Sequence, residues 1–280
     1  MERAHILAEA LPYIREFSGR TVVVKYGGQA MVDVELKGSL ARDITLMRYV
    51  GIKPVVVHGG GKAITTLMQR LGLHPTFVGG NRVTTEETME IAEMVLVGKV
   101  NKEIVGLLNQ CGGRAVGLSG KDGGLIRARR VEDTNLGLVG AVEQVDTAII
   151  EILEREGFIP VVAPIGTSQE GQTLNINADA VAAALAGALR AEKLIFLTDV
   201  DGICRVPDQP NTLISTLHLS QLQDMVAVGT VRGGMLAKID ACATALRQQV
   251  PKVHIVSGLR PHSLLLELFT DRGVGTQVLL

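Results

Sequence analysis

The chain has 280 residues, 46% of them hydrophobic, and a formal net charge of −1. That is ample apolar material for one large core or two lobes, and the absence of any block of like charges argues against a nucleic-acid or membrane-surface partner. Cys111, Cys204 and Cys242 are far apart, odd in number and form no CxxC pair, which fits a reducing compartment and simple core thiols.

The chain opens MERAHILAEALPYIREF. Ile6, Leu7, Leu11, Ile14 and Phe17 have the spacing of an amphipathic helix, with Pro12 expected to kink it. Glu2, Glu9 and Glu16 interrupt the apolar residues, so this is not a signal peptide. No apolar run approaches the length of a membrane span, and a cytoplasmic protein is expected. Thr21–Lys25 reads as a buried strand ended by Gly27 and Gly28. A helix over 33–50 leads to a second buried strand, Lys53–Val57, which ends in His58-Gly59-Gly60-Gly61. Helical patterns follow at 62–71 and 86–110, then a short strand at 115–118, an extended hairpin segment at 137–142, a helix at 147–156 and a strand at 158–165. The Ala-rich segment 178–189 reads as a helix, 193–198 as a strand, 236–248 as a helix, 252–256 as a strand and 263–269 as a last helix. Strands alternating with helices, without linker or repeat, predict an α/β fold: a three-layer αβα sandwich around a mainly parallel central sheet.

In open α/β sheets, ligands bind beyond the carboxyl ends of strands. Two such ends here are glycine-rich. Backbone N–H groups reach an oxyanion closely where no Cβ intervenes, and a following helix N-terminus favours negative charge. Gly27-Gly28 and Gly59-Gly60-Gly61 are therefore either anion cradles or tight turns. There is no GxxxxGK[ST] and no GxGxxG after a strand, so neither a P-loop nor a dinucleotide fingerprint is present. HGGG without a G-x-S-x-G elbow does not make a hydrolase. HExxH and paired Cys motifs are lacking too, so no protein-ligated metal is expected. Lys25, at an apolar strand end, is either a phosphate clamp or half of an ion pair, because burying a lone ammonium is costly. Lys238 taken alone is an ordinary helix lysine. Asn175, Asn177 and Asp179 alternate with apolar Leu174 and Ile176. They either share one face of a strand or cap the Ala-rich helix. Asp199 either holds a ribose hydroxyl or caps a turn with Asp201-Gly202.

Taken together, VVVKYGGQAM (22–31), VVVHGGG (55–61), NRVT (81–84), MEIAEMVLVGKVNKEIV (89–105), LNINAD (174–179), LTDVDGI (197–203), GGMLAKI (233–239) and ELFTDRGVGT (267–276) resemble the acetylglutamate kinase family, nearly end to end and in its order. The resemblance implies the amino-acid kinase fold and transfer of the ATP γ-phosphoryl group, with Mg²⁺, to the side-chain carboxylate of N-acetyl-L-glutamate. It implies that Lys25 and Lys238 flank the transferring group with Asp179 between them. Gly60 and Gly61 would bind the reacting carboxylate, Arg82 the α-carboxylate and Asn175 the acetylamido part, with Asn177 a further substrate-binding residue. Gly27, Gly28, Asp199, Val200, Asp201, Gly202, Ile203, Cys204, Thr230, Val231 and Arg232 would form the nucleotide site. Residues 1–20 would be an N-terminal interlacing helix, 21–177 a lobe for acetylglutamate and dimerisation, and 178–280 a lobe for ATP.

The segment LAEALPYIREF resembles the extra helix of arginine-inhibited hexameric members. Tyr13, His254, Glu267 and Gly273 would then line an arginine site, and a homodimer would form through 89–105. PII-type signalling proteins bind some members, and nothing in the sequence decides whether one binds here. The chain departs from the family pattern at Lys62, where Pro is usual, at Asn81, and in VSGLRPH (256–262), where IDGRxPH is usual. Two other readings share most of these residues: a kinase for an acetylated or carrier-linked aminoadipate, and a non-catalytic arginine-sensing domain.

Overall fold

The computed structural model describes residues 8–206, 209–231, 233–271 and 273–280. The expected helical positions Ile6 and Leu7 and the expected nucleotide residue Arg232 lie outside the described residues. Helix α1 (Leu11–Phe17) starts after a turn at Ala10. Pro12 thus sits in a first turn, where its missing N–H leaves no gap, and the chain breaks before it instead of bending at it.

The centre of the molecule is an eight-stranded sheet. Its strands are β1 (Thr21–Tyr26), β2 (Lys53–His58), β5 (Ala115–Ser119), β8 (Ile159–Ala163), β11 (Lys193–Thr198), β12 (Thr216–His218), β13 (Lys252–Ser257) and β14 (Thr276–Leu279). They lie in the order β12-β14-β13-β11-β1-β2-β8-β5, and every pairing is parallel except β13 with β14. Val22–Val24, Val55–Val57 and Leu194–Phe196 are fully buried. Continuous β-branched and aromatic runs of this kind belong to strands covered on both faces. Burying each valine contributes on the order of 1.5–3 kcal/mol.

Helix α2 (Val34–Tyr49) carries β1 to the parallel β2 in one direction along the sheet, while α7 (Ala178–Ala188) and α9 (Gly234–Arg247) lie within the parallel steps β8 to β11 and β11 to β13, which run the other way. Right-handed crossovers therefore put them on opposite faces. Helix α5 (Asn101–Gln110) packs on α2, and α9 packs on α7. The expected long helix 86–110 is continuous, but its middle, Met94–Val100, is π-helical between α4 (Glu86–Glu93) and α5. Such bulges are rare and occur often at functional sites.

Four further strands close into a small barrel: β6 (Ile126–Arg130), β7 (Val139–Val145), β9 (Ile165–Thr167) and β10 (Thr173–Ile176), in the order β10-β7-β6-β9. The expected strand 158–165 is two strands, because Pro164 separates β8 from β9 and its carbonyl instead accepts from Ile176 N at 3.0 Å. The expected hairpin segment 137–142 is part of the longer β7. Strand β10 stops at Ile176, so Asn175, Asn177 and Asp179 do not share a strand face. Asn177 is the cap of α7, accepting from Asp179 N at 2.8 Å, and Asp179 sits in that helix's first turn.

Candidate active site

Both glycine loops leave the carboxyl ends of adjacent central strands. Lys25 stands opposite Val57 in the β1–β2 register, and Tyr26 opposite His58. Gly59 N donates to Tyr26 O at 2.8 Å, and a Cβ on Gly59 would lie 3.8 Å from Gly27 Cα. The loops therefore touch. Gly28 has φ +74°, and a Cβ there would stand 2.1 Å from Asp199 Oδ1, so glycine is required. The Gln29 N–H also donates to that carboxylate, so Asp199 holds the loop after β1 in place. Gly61 opens α3 (Gly61–Arg70). Its N–H lies in the first turn, where helical amides have no carbonyl partner along the helix.

Lys25 Nζ lies 2.9 Å from Asp179 Oδ1, and Lys238 Nζ lies 2.9 Å from Asp179 Oδ2. One carboxylate, 8% exposed, thus joins two ammonium groups from β1 and α9. Burial pushes the Asp179 carboxyl upward, but Lys25 and Lys238 together outweigh it and hold its pKa below the ordinary value. Burial pulls the Lys238 pKa down, Asp179 opposes that, and Lys25 adds to it. Lys238 also stands over the Phe196 ring, 4.8 Å from its centroid. The trio carries a net charge of +1. A largely buried excess cation beside two glycine loops attracts a phosphoryl oxygen.

A cleft of about 180 Å³ borders the second glycine loop and the start of α7. Gly59–Gly61, Arg82, Asn175 and Asn177 line it. The hairpin of β3 (Phe77–Val78) and β4 (Asn81–Arg82) turns through Gly79-Gly80, both at positive φ. It folds Arg82 inward, 7% exposed. The guanidinium donates to Gly61 O and Thr65 Oγ1, both at 2.8 Å, and stacks 4.7 Å from the Phe77 centroid. Asn175 Nδ2 donates to Thr84 Oγ1 at 3.2 Å. His58 is fully buried, its imidazole pKa pushed down to about 4 by burial. Its Nδ1–H donates to Gly59 O at 2.7 Å, while Nε2 accepts from Asn101 Nδ2 at 3.2 Å. With both nitrogens engaged, His58 props the loop and is not placed as a base.

A larger cleft of about 980 Å³ is lined by Asp199–Cys204, Thr230 and Val231, and Asp199 ties it to the loop after β1. The volume suits a nucleotide-sized ligand. Asp199 caps no turn with Asp201-Gly202. Its carboxylate is bound to the β1 loop, as described above, and it borders the cleft. Asp201 accepts from Arg260 Nη2 at 2.9 Å.

A profile of the amino acid kinase family matches residues 20–257. The acetylglutamate kinase of Syntrophus aciditrophicus is 54% identical over 100% of this chain and 97% of its own. This chain belongs to the amino acid kinase family, among the acetylglutamate kinases. The N-acetylglutamate synthase of Neisseria gonorrhoeae, complexed with coenzyme A and N-acetyl-glutamate, superimposes with TM-score 0.88 and 31% identity over 99% of this chain. The chain spans 63% of that structure's length. The same synthase complexed with coenzyme A and L-arginine gives TM-score 0.84, at 28% identity, over 99% of this chain and 65% of that one.

Residues expected from the acetylglutamate kinase resemblance also meet at a third place. Tyr13, His254, Glu267 and Gly273 border a cavity of about 190 Å³. Glu267 accepts from His254 Nδ1 at 2.5 Å and from Gly275 N at 3.0 Å. Tyr13 donates to Asp271. Burial lowers the His254 pKa, and Glu267 opposes the effect. Sequence reasoning missed Thr65 and Phe77, which hold Arg82, and Arg260, which reaches the larger cleft. A threonine one helical turn after the glycine loop was a signal for the first. Phe77 and Arg260 depend on tertiary approach.

Proposed function

We propose that the protein transfers the γ-phosphoryl group of ATP to the side-chain carboxylate of N-acetyl-L-glutamate, giving N-acetyl-L-glutamyl 5-phosphate and ADP in cytoplasmic arginine biosynthesis. The observation that carries this reading is the Asp179 carboxylate bridging Lys25 and Lys238 at the meeting of two glycine loops. A substrate carboxylate is ionised at neutral pH, so attack needs no general base, in keeping with a His58 that is buried and fully hydrogen-bonded. One carboxylate oxygen forms a bond to the γ-phosphorus. The bond from phosphorus to the β–γ bridging oxygen breaks, and ADP keeps the electron pair.

Phosphoryl transfer needs mainly positioning and offset of charge on the equatorial oxygens. Lys25 and Lys238 supply the cations, and Asp179 fixes their spacing. The Gly60 and Gly61 amides face the reacting carboxylate. Arg82, with its planar fork, grips the α-carboxylate. Asn175 meets the acetylamido group, and Asn177 lines the same cleft while capping α7. ATP occupies the larger cleft, with Gly27 and Gly28 against its phosphates. Among the described residues no three His, Cys, Asp or Glu side chains converge as metal ligands. Mg²⁺ would accompany the nucleotide and offset charge on its phosphates. Trapping the acyl phosphate with hydroxylamine, with acetylglutamate as acceptor and ATP as donor, tests the reaction, and no hydroxamate above a no-acceptor blank rejects it.

Residues 21–177 act as the acceptor lobe and 178–280 as the nucleotide lobe, sharing one sheet. Arginine inhibits through the cavity at Tyr13, His254, Glu267 and Gly273. Its guanidinium meets the carboxylates there, and Lys193 and Lys252 offer charge for its carboxylate. A flat activity response to added arginine removes this part. A homodimer forms through 89–105, where Met94 is 57% exposed. A monomer by sedimentation contradicts that pairing.

A further inference from the structure

Helix α2 carries a carboxylate with no place in the chemistry above. Asp43 is 2% exposed on the buried face of α2, beside Ser39. Its Oδ1 lies 2.6 Å from His262 Nδ1, and the His262 backbone N–H donates to Ser39 Oγ at 3.0 Å. His262 is the cap of α10 (Ser263–Leu268) and has φ +62°. Left-handed backbone at a residue other than glycine costs energy and persists where its surroundings demand it. Burial pushes the Asp43 carboxyl up, and contact with His262 pulls it back.

The segment held in this way is the wall of the larger cleft. After β13, Gly258 N donates to Thr198 O at 2.8 Å. Leu259 and Arg260 then line the cleft, and Arg260 reaches across to Asp201. Leu259 is 40% exposed and the Arg260 side chain 61% exposed, so neither is locked by packing. The segment is thus pinned at two ends: at Thr198 on the central sheet, and at Asp43 and Ser39 on α2. The second pin comes from the acceptor-side half of the chain, although the wall it fixes faces the nucleotide side.

We infer that Asp43 and His262 are positioning residues for nucleotide binding, holding the Leu259-Arg260 wall from behind by a contact that touches neither substrate. The inference rests on the larger cleft being the nucleotide site. A general loss of packing would weaken both substrates alike. A wall effect weakens one.

Four variants separate these cases, read by KM for ATP, KM for acetylglutamate, and calorimetric binding of ADP without acceptor. His262→Gly relieves the left-handed strain while deleting the contact. His262→Asn also tolerates positive φ and keeps a hydrogen-bonding group. Asp43→Asn and the double variant Asp43→Asn/His262→Gly complete a cycle. His262→Gly is expected to raise the KM for ATP and the Kd for ADP about tenfold, a change of about 1.4 kcal/mol. The KM for acetylglutamate stays within about twofold, and His262→Asn recovers most of the loss. The double variant is no worse than His262→Gly, as expected for partners in one contact. Equal rises in both KM values, or unchanged ADP binding in folded His262→Gly, overturn the inference. If His262→Gly does not fold, Asp43→Asn and His262→Asn decide it by the same split. Wild-type protein that fails to bind ADP rejects the nucleotide cleft itself, which is a different failure.

Discussion

The two clefts are built differently. The smaller is preformed: Arg82 is buried, and two of its donors are already spent on Gly61 and Thr65. The larger has one wall, Leu259-Arg260, exposed and held by the Arg260–Asp201 ion pair at its rim and the His262–Asp43 contact at its far end. A rigid polar pocket selects by geometry, because a wrong occupant leaves buried groups unpaired. A large open cleft selects less and relies on how its wall is held. On the proposed assignment of the clefts, the difference teaches that acceptor identity would be written in side-chain contacts, and nucleotide affinity in loop placement.

The strongest way to break the comparison is at the lysine–aspartate trio, the proposed phosphoryl site. Lys25→Ala and Lys238→Ala each remove one cation from the phosphoryl site. Each is expected to lower kcat about 10²- to 10³-fold, the scale seen when one transition-state donor is deleted, while thermal unfolding confirms a folded chain. Near-normal turnover in either variant rejects the assigned role.

A second test concerns the prop under the smaller cleft. His58 is held neutral with a pKa pushed down to about 4, against an ordinary 6.5. Between those values the unfolded chain binds a proton that the folded chain does not, so stability rises with pH. Folding stability from this residue is present above pH 6.5 and lost as pH falls toward 4, by about 3 kcal/mol at 1.36 kcal/mol per pH unit. Urea unfolding across that window should show a slope that flattens in His58→Asn; an unchanged slope assigns the effect elsewhere.

The mildest test sharpens the contrast directly. Arg82→Lys keeps the charge but loses the planar fork and the stacking on Phe77. It should raise the KM for acetylglutamate about tenfold, a loss of about 1.4 kcal/mol, and leave the KM for ATP unchanged. A rise in both would mean that the clefts are not independent.

Much of this was legible in the sequence because its signals are local. Buried strands announced themselves as β-branched runs such as Val22–Val24, and both glycine loops as strand ends. The convergence of Lys25, Lys238 and Asp179 was available through the family resemblance alone, since Lys238 read in isolation is an ordinary helix lysine. The small barrel was not legible. Its strands are short, and β6 (IRARR) alternates polar with buried apolar residues too briefly to stand out from a loop. Between the two readings open for Asn175, Asn177 and Asp179, strand face or helix cap, tertiary context decided for the cap, because a cap competes with a strand for the same residues. The Asp43–His262 contact spans 219 positions, and periodicity carries no information over that distance.

The seam between α7 and α9 has a consequence for how this site can drift. Ala182, Ala183 and Ala186 on one helix and Ala241 and Ala245 on the other are buried, and small residues let two helices lie close. Asp179 rides on the first of these helices and Lys238 on the second, so the 2.9 Å separation between them is inherited from the interval between two rods. Thickening the seam by a few methyl groups would act as a spacer at the reaction centre. Such a lesion would register as slowed turnover, though no residue near the phosphate had been altered.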